Sequence, residues 1–250
     1  MAGLRLGFVG TGTIASAVVR GLAREGHAIT VSERGARHSA ALAAEIPDLA
    51  VAGNQGVVDA SDVVFLGLLP EAAPEILSGL RFRPGQRVIS FMAGVDLAEV
   101  AALCAPAGAS ALMLPFPGIA QGGSPILAMG DTDLVAQIFG STNTVFTVPD
   151  AAQMQTYLSA QAVLSPAVAM VGAAAEWMAA RGVDAGTGEA FLRLLVGSSL
   201  QSSACAPMIA ALNTPGGYNQ RLRVHMEQAG TPEALKAGLN TLAGDKSEGN

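Results

Sequence analysis

The chain has 250 residues, a length that suits one large domain or two modest ones with an ample core. Charged residues make up 14% and apolar residues 50% of it, so we expect another subunit to cover part of its surface. The net charge of −6, with no basic cluster, argues against nucleic acid as a partner.

The sequence also predicts the cellular location of the protein. Its longest apolar run, 162–175, is interrupted by Ser165, Pro166 and Gly172. The run is too short for a bilayer span, so we expect no membrane association. The N-terminus leads straight into a predicted strand, with no room for a cleavable signal. Cys104 and Cys205 lack metal-ligand spacing. We therefore expect a cytoplasmic protein with two reduced thiols and no metal.

The first predicted element, strand 4–9, runs into a glycine pair and then into a helix over 14–25. Gly10 permits a tight turn, Gly12 lets the backbone approach a pyrophosphate, and Ala15 stands where a third glycine would allow close helix packing. The N–H groups and dipole at the helix start attract the anion. A tight turn without a ligand is the alternative, but a second strand follows, which favours a dinucleotide. The predicted cofactor-binding residues are Gly10, Thr11, Gly12, Thr13 and Ile14.

Strand and helix patterns alternate from the N-terminus to residue 149. The predicted strands are 4–9, 28–32, 49–52, 63–69, 87–92, 110–114, 125–129 and 145–148. The predicted helices are 14–25, 36–45, 71–80, 96–104 and 132–140, with Asp96 and Glu99 forming a capping box. This alternation predicts an α/β domain over 1–149: a Rossmann-type, doubly wound, mostly parallel sheet that binds ligands at the carboxyl ends of its strands.

After Asp150 the strand signals stop, and the region 150–244 is predicted to be all-α. A helix over 151–181 is apolar on nearly every face, and Pro166 should kink or break it. Further helices are predicted at 186–204, after Gly217, and from Thr231, which would act as the cap. Helices this apolar predict the core of a homodimer or higher homo-oligomer. The polar tail 245–250 should be frayed.

The end of the second strand bears on the choice of dinucleotide. An acidic residue such as Glu33 usually holds the ribose hydroxyls, whereas arginine with serine accommodates the 2′-phosphate. We favour NADP(H) over NAD(H), because Ser32, Arg34 and Arg37 are three candidate phosphate partners against one carboxylate. Arg37 fits a solvated helix position equally well.

The acid–base residues needed for carbonyl reduction are missing. Such a reaction normally uses a positioned histidine, lysine or tyrosine. Between His38 and His225 there is neither histidine nor lysine, and neither Tyr157 nor Tyr218 has a lysine four residues later. A protonated imine is already an electrophile that a site need only orient and shield from water. The sequence therefore favours reduction of C=N over C=O.

One loop, 212–220, suits such a substrate. Its proline and two glycines expose backbone N–H groups at a helix start, which makes a carboxylate pocket without a charged side chain. A plain interhelical turn is the alternative. The predicted substrate-binding residues are Thr214, Gly216 and Gly217, and the predicted catalytic residues are Asn219 and Tyr218. The Tyr218 phenol would either donate a proton to the product amine or pack in the dimer core.

Together these residues resemble the Δ1-pyrroline-5-carboxylate reductase family, in which a Rossmann domain precedes a helical dimerisation domain. Residues 7–15 are similar to the family's opening, and 89–95 to its I-S-x-x-A-G-V strand end near the nicotinamide. Asn54, with 62–66 and Pro70, resembles its segment beside the cofactor ribose, and 213–217 resembles its T-S-P-G-G-T-T signature, which binds a proline-like carboxylate and imine. The resemblance implies five further cofactor-binding residues: Asn54, Leu68, Pro70, Ala93 and Gly94.

The chain also departs from this family. Leu69 replaces a usual lysine, 114–117 replaces M-P-N-T-P, and 159–162 replaces S-G-S-G-P-A. Tyr218 and Asn219 replace the signature's threonines, and Asn219 falls on the one credited with contacting the substrate nitrogen. The resemblance thus implies an NADPH-dependent reductase of a small carboxylated imine, and the departures predict that it reduces pyrroline-5-carboxylate poorly and another imine better.

Two alternatives stay open. One is a catalytically silent protein that senses a dinucleotide or a proline-like ligand. The other is a deazaflavin-dependent NADP reductase, whose N-terminal motif would look similar but whose reaction gives the helical region no evident purpose.

Overall fold

The structure is a computed structural model and describes residues 3–244. It divides into two compact units, of which the first ends at Met154 and the second begins at Gln155. The tail predicted at 245–250 lies outside the described residues.

The first unit is built on one eight-stranded sheet. Its strands are β1 (Arg5–Val9), β2 (Ala28–Ser32), β3 (Ala50–Ala52), β4 (Val63–Leu66), β5 (Arg87–Ser90), β6 (Gly108–Pro115), β7 (Pro125–Gly130) and β8 (Thr144–Thr147). They lie in the order β3-β2-β1-β4-β5-β6-β7-β8, and every neighbouring pair is parallel except β6 and β7. The predicted mostly parallel, doubly wound sheet is confirmed.

Helices connect the parallel strands, as the crossover rule requires. They are α1 (Thr13–Leu22), α2 (Ala36–Glu45), α3 (Asn54–Ala60), α4 (Ala73–Ser78), α5 (Leu97–Leu103) and α6 (Thr132–Phe139), with 3₁₀ turns at Pro70–Ala72 and Pro117–Ala120. The carboxylate of Asp96 accepts the Ala98 N–H at 2.9 Å, so the Asp96 half of the predicted capping box is present. Helix α3 was not predicted.

Both faces of the sheet are buried under apolar layers. Along β4, Val63 and Phe65 point into one layer while Val64 and Leu66 point into the other. The Phe65 ring stacks on that of Phe8 in β1, with centroids 4.6 Å apart. This packing fixes the carboxyl ends of β1 and β4 side by side at the centre of the sheet.

The remaining elements are helical. They are α7 (Ala151–Ala160), α8 (Leu164–Ala179), α9 (Ala185–Ser202), α10 (Cys205–Ala211), α11 (Tyr218–Gln228) and α12 (Thr231–Ala243). The predicted helix 151–181 is broken by a 3₁₀ turn at Gln161–Val163, and Pro166 lies in the first turn of α8, where its ring is tolerated. The predicted cap at Thr231 is wrong: Gly230, with φ 79°, holds the cap position, and Thr231 is the first helical residue.

The second unit buries very little of its own apolar surface. In its described part only Ser159, Ala175 and Gly188 are buried, while Leu194 is 74% and Leu164 64% exposed. The run Ala151–Ala179 contains an 18-residue window with a mean hydropathy of 1.5, so it passes a length-and-composition test for crossing a membrane, as the core helix of a soluble protein also does. This run is longer than the apolar stretch 162–175 considered from the sequence, and the 3₁₀ turn at Gln161–Val163 interrupts it. Much of the apolar surface of these helices is therefore left exposed in the single chain.

Candidate functional site

A glycine turn joins β1 to α1 at the point where the strand order reverses, between β1 and β4. Gly10 has φ 90°, and a Cβ there would lie 2.5 Å from the Gly67 carbonyl oxygen. A Cβ on Gly67 would likewise lie 2.6 Å from the Gly10 oxygen. Sequence reasoning missed Gly67, although it follows β4 directly, as Gly10 follows β1. The two backbones can touch only because both residues are glycines.

Gly12 is a glycine for a different reason. Its backbone is extended, with φ −97°, and a Cβ there would meet no atom within 4 Å. The fold itself therefore does not require glycine at this position. Gly12 caps α1, whose first N–H groups have no acceptor within the helix, next to exposed Thr13 and half-buried Ile14. Open space over a bare backbone at a helix start fits a pyrophosphate.

Ser32 and Thr11 hold this turn in place. The Ser32 hydroxyl accepts the Gly10 N–H at 3.0 Å and lies 3.2 Å from Thr11 Oγ1. The Thr11 hydroxyl donates to the Ser32 carbonyl at 2.9 Å, and both side chains are buried. The expectation that Ser32 contacts a 2′-phosphate is therefore corrected, because its hydroxyl is enclosed in the turn.

The turn after β2 carries the charged residues. Glu33, Arg34 and Arg37 are all exposed. Gly35, with φ 98°, brings this turn against the glycine turn, since a Cβ there would lie 2.6 Å from the Thr11 carbonyl oxygen. Two arginines and one carboxylate are thus presented beside the glycine turn.

The other predicted cofactor residues follow the next parallel strands. Asn54, half-buried, begins α3 after β3, and half-buried Leu68 and exposed Pro70 follow β4. Ala93 and Gly94, both exposed, follow β5. Because β1 to β5 are parallel, their carboxyl ends share one edge of the sheet. The fold brings the whole predicted set to that edge.

The loop before α11 is a closed turn. Pro215 and Gly216, with φ 73°, occupy the two central positions of a type II turn, which the Gly217 N–H closes onto the Thr214 carbonyl at 3.0 Å. The Gly216 N–H donates to Gln220 Oε1 at 2.7 Å. The amides of Gly216 and Gly217, which the sequence assigned to a carboxylate, are therefore already bonded within the chain, and that assignment is corrected.

The donors that stay available belong to the helix itself. Gly217 caps α11 and has no side chain to accept a hydrogen bond. The Arg221 N–H donates to the Gly217 carbonyl at 3.0 Å, so the N–H groups of Tyr218, Asn219 and Gln220 precede the first intrahelical bond. The Tyr218 side chain is 90% exposed and does not pack within the chain.

Asn219 borders an open cavity on the surface of the second unit, with a volume of about 550 Å³. Its other lining residues are Met170, Ala173, Ile209, Leu212, Leu222, Arg223 and Met226. Apart from Asn219 and Arg223, this wall is apolar. Within residues 3–244 no three histidine, cysteine or acidic side chains are grouped closely enough to hold a metal ion.

Comparison with known proteins first gives a family that the N-terminal unit is similar to. The family described as "NADP oxidoreductase coenzyme F420-dependent" matches residues 5–94, from β1 to the loop after β5. The match covers the first five strands of the sheet, so the N-terminal unit is similar to this family over that part of the chain.

One group of enzymes is similar to the chain in both sequence and fold. A pyrroline-5-carboxylate reductase of Pseudomonas aeruginosa is 31% identical over 103 residues, which span 39% of this chain and 38% of that relative. The fold of the Coxiella burnetii pyrroline-5-carboxylate reductase covers 96% of both chains with a TM-score of 0.81 at 17% identity. The expected resemblance to pyrroline-5-carboxylate reductases, as a divergent relative, is confirmed.

A second solved structure widens the comparison. A reductive aminase from Aspergillus terreus, in complex with NADPH and ethyl levulinate, covers 99% of this chain and 90% of its own, with a TM-score of 0.59 at 19% identity. At these identities the structural matches establish the fold alone.

Proposed function

We propose that this protein is an NADPH-dependent reductase of a C=N bond in a small carboxylated imine. The observation that carries the proposal is the glycine turn, in which Gly10 contacts the Gly67 backbone while Gly12 stands open at the start of α1. The fold of the pyrroline-5-carboxylate reductases and of a reductive aminase, enzymes whose names refer to C=N chemistry, supports the reaction class.

The dinucleotide supplies a hydride when bound. In this proposal the backbone around Gly12 and the start of α1 bind the pyrophosphate. Arg34 binds the 2′-phosphate, because its guanidinium is exposed beside the glycine turn and forms paired hydrogen bonds with phosphate oxygens. Glu33 stays in solvent.

The substrate carboxylate is received by the first-turn amides of α11, at Tyr218 and Asn219, since Gly216 and Gly217 are already bonded. The Asn219 side chain both donates and accepts, and so can orient an imine nitrogen. The exposed Tyr218 phenol is free to donate a proton to the product amine. An iminium needs no further acid, which agrees with a loop that contains no histidine or lysine.

We further propose that two copies pair through their helical units, because the apolar faces of α8 and α9 are largely exposed in one chain. Pairing would also enclose the run Ala151–Ala179 without a membrane.

The test is turnover by the purified full chain. NADPH is supplied with a panel of cyclic imines that includes pyrroline-5-carboxylate, and loss of the reduced-nicotinamide absorbance is followed. We expect turnover of a carboxylated imine, with pyrroline-5-carboxylate a poor substrate. Dinucleotide binding without turnover of any imine would contradict the proposal and favour a sensor.

The match of residues 5–94 favours a second candidate, a deazaflavin-dependent NADP reductase. The same assay distinguishes it when a deazaflavin replaces the imine. Deazaflavin reduction without imine reduction would support this candidate. The loop before α11 would then have no role in the reaction.

A further inference from the structure

Two side chains of α11 reach back to the loop that precedes the helix. Gln220 Oε1 accepts the Gly216 N–H at 2.7 Å. Arg223 donates from Nη2 to Asn213 Oδ1 at 2.8 Å and from Nη1 to Glu227 Oε1 at 2.5 Å. Gln220 and Arg223 are three residues apart and so share one face of the helix. The loop 213–217 is thus held near both of its ends by the helix it leads into.

This arrangement resembles half of a capping box. In a full capping box the glutamine or glutamate three residues after the cap reaches back to the backbone, and the cap side chain reaches forward to the first-turn amides. Here Gln220 makes the backward bond, to the residue before the cap, while Gly217 has no side chain to make the forward one. The loop is closed and the first-turn amides stay unoccupied.

We propose that Gln220, assisted by Arg223, is a positioning residue for substrate binding, an inference that rests on the proposed function of this loop. Gly216 and Gly217 would otherwise give the loop much backbone freedom, and ordering it on binding would weaken the substrate complex. The bond to Gln220 orders the loop beforehand. Gln220 itself does not touch the reacting atoms.

The first experiment measures amide hydrogen exchange at Gly216 in the full-chain protein. Gly216 lies on an exposed loop, so protection of its N–H depends on the Gln220 bond. We expect Gln220→Met to speed exchange about tenfold, an order of magnitude that a lost hydrogen bond allows. Gln220→Glu should keep the protection, because a carboxylate still accepts. Gln228→Met, at the far end of α11, is the matched control. Exchange in Gln220→Met at the wild-type rate would overturn the proposal.

The second experiment is kinetic and uses whichever carboxylated imine the wild type reduces. Gln220→Met should raise the KM for the imine about threefold to tenfold, while kcat and the KM for NADPH stay unchanged. An unchanged imine KM would overturn the positioning role. If the wild type reduces no imine, the proposed function fails, and the exchange measurement still decides whether Gln220 orders the loop.

Discussion

Gly10 and Gly12 belong to one turn, yet the protein needs them for different reasons. A side chain at Gly10 would collide with the Gly67 backbone at a strained φ, whereas a side chain at Gly12 would meet only open space. Stability therefore depends on the first glycine, and the proposed ligand depends on the second.

Gly12→Asp tests this separation. Aspartate is a preferred helix cap and suits the positive end of α1, so we expect the free energy of unfolding to stay within about 0.5 kcal/mol of wild type or to rise. NADPH affinity should fall more than about tenfold, because the carboxylate would occupy and repel the pyrophosphate. Gly10→Ala should instead cost about 2 kcal/mol. Urea unfolding and fluorescence titration measure both, and tight NADPH binding by Gly12→Asp would refute the assignment.

Substitutions of Arg34 and of Ser32 should affect the two dinucleotides differently. Arg34→Ala should raise the KM for NADPH and leave that for NADH nearly unchanged, since NADH has no 2′-phosphate. Ser32→Ala removes the acceptor of the buried Gly10 N–H, so it should weaken both dinucleotides equally and cost about 1–3 kcal/mol of stability. The KM values of both variants for NADPH and for NADH distinguish these effects. If Ser32→Ala raised only the KM for NADPH, Ser32 would again be a candidate partner of the 2′-phosphate.

The glycine cap of α11 offers a matched pair of substitutions. A Cβ at Gly217 would lie 3.1 Å from the Thr214 carbonyl oxygen, a tight contact shared by Gly217→Ala and Gly217→Ser. Only serine adds an acceptor for the first-turn amides. We expect the serine variant to be about 1 kcal/mol more stable than the alanine variant and to have a higher KM for the carboxylated imine. Equal imine KM values in the two variants would show that the carboxylate binds elsewhere.

At the scale of elements, the start of strand β1 is held by a histidine, His27, which directly precedes the neighbouring strand β2. His27 Nδ1 accepts the Leu4 N–H at 3.1 Å, and burial lowers the pKa of this imidazole below its ordinary value. The unfolded chain therefore binds a proton more readily than the folded one between these two pKa values. Stability is complete above the ordinary pKa and declines as the pH falls below it.

We accordingly expect the wild-type Tm to fall on acidification from about pH 7.5 to pH 5.5, around the ordinary histidine pKa. His27→Asn keeps a side-chain acceptor without the ionisable ring, so its Tm should fall less over the same range. His38→Asn on α2 is the control. Identical pH profiles for wild type and His27→Asn would contradict this role.

The sequence predicted the elements that bury a regular apolar pattern and missed those that depend on tertiary packing. Strand β4 was found because Val63 to Leu66 are all apolar, but its end was placed too late, because Gly67 leaves the sheet to contact Gly10. Helix α3 has a glycine and two valines, poor helix formers, and buries only Val57 and Val58. Helix α10 was missed because it contains a proline, which its first turn tolerates.

For the candidate site, too, the sequence predicted local features and missed those that depend on tertiary contacts. Glycine spacing located the turn between β1 and α1, where Gly10 adopts a positive φ that favours glycine. The enclosure of Ser32 and the bond from Gly216 to Gln220 depend on the folded turns, which spacing does not reveal.

At the scale of the whole molecule, the exposed apolar helices lead to a prediction about assembly. Sedimentation of the wild type at micromolar concentration should show a dimer or larger oligomer. Leu194→Asp places a charge on a side chain that is 74% exposed in one chain, and we expect it to dissociate or precipitate the protein. Val51→Asp, exposed in the first unit, should leave the oligomer intact. A folded, active wild-type monomer would refute the pairing.

The outer strands of the sheet have a practical consequence. Strand β3 has only three residues, whereas β8 presents the sequence Thr-Val-Phe-Thr with Phe146 44% exposed at the other edge. An edge rich in β-branched and aromatic residues, without charge or proline, is a template on which further strands add. During overexpression, β8 is therefore where aggregation of partly folded chains would begin, and a lysine introduced at Thr147 is the natural way to improve yield.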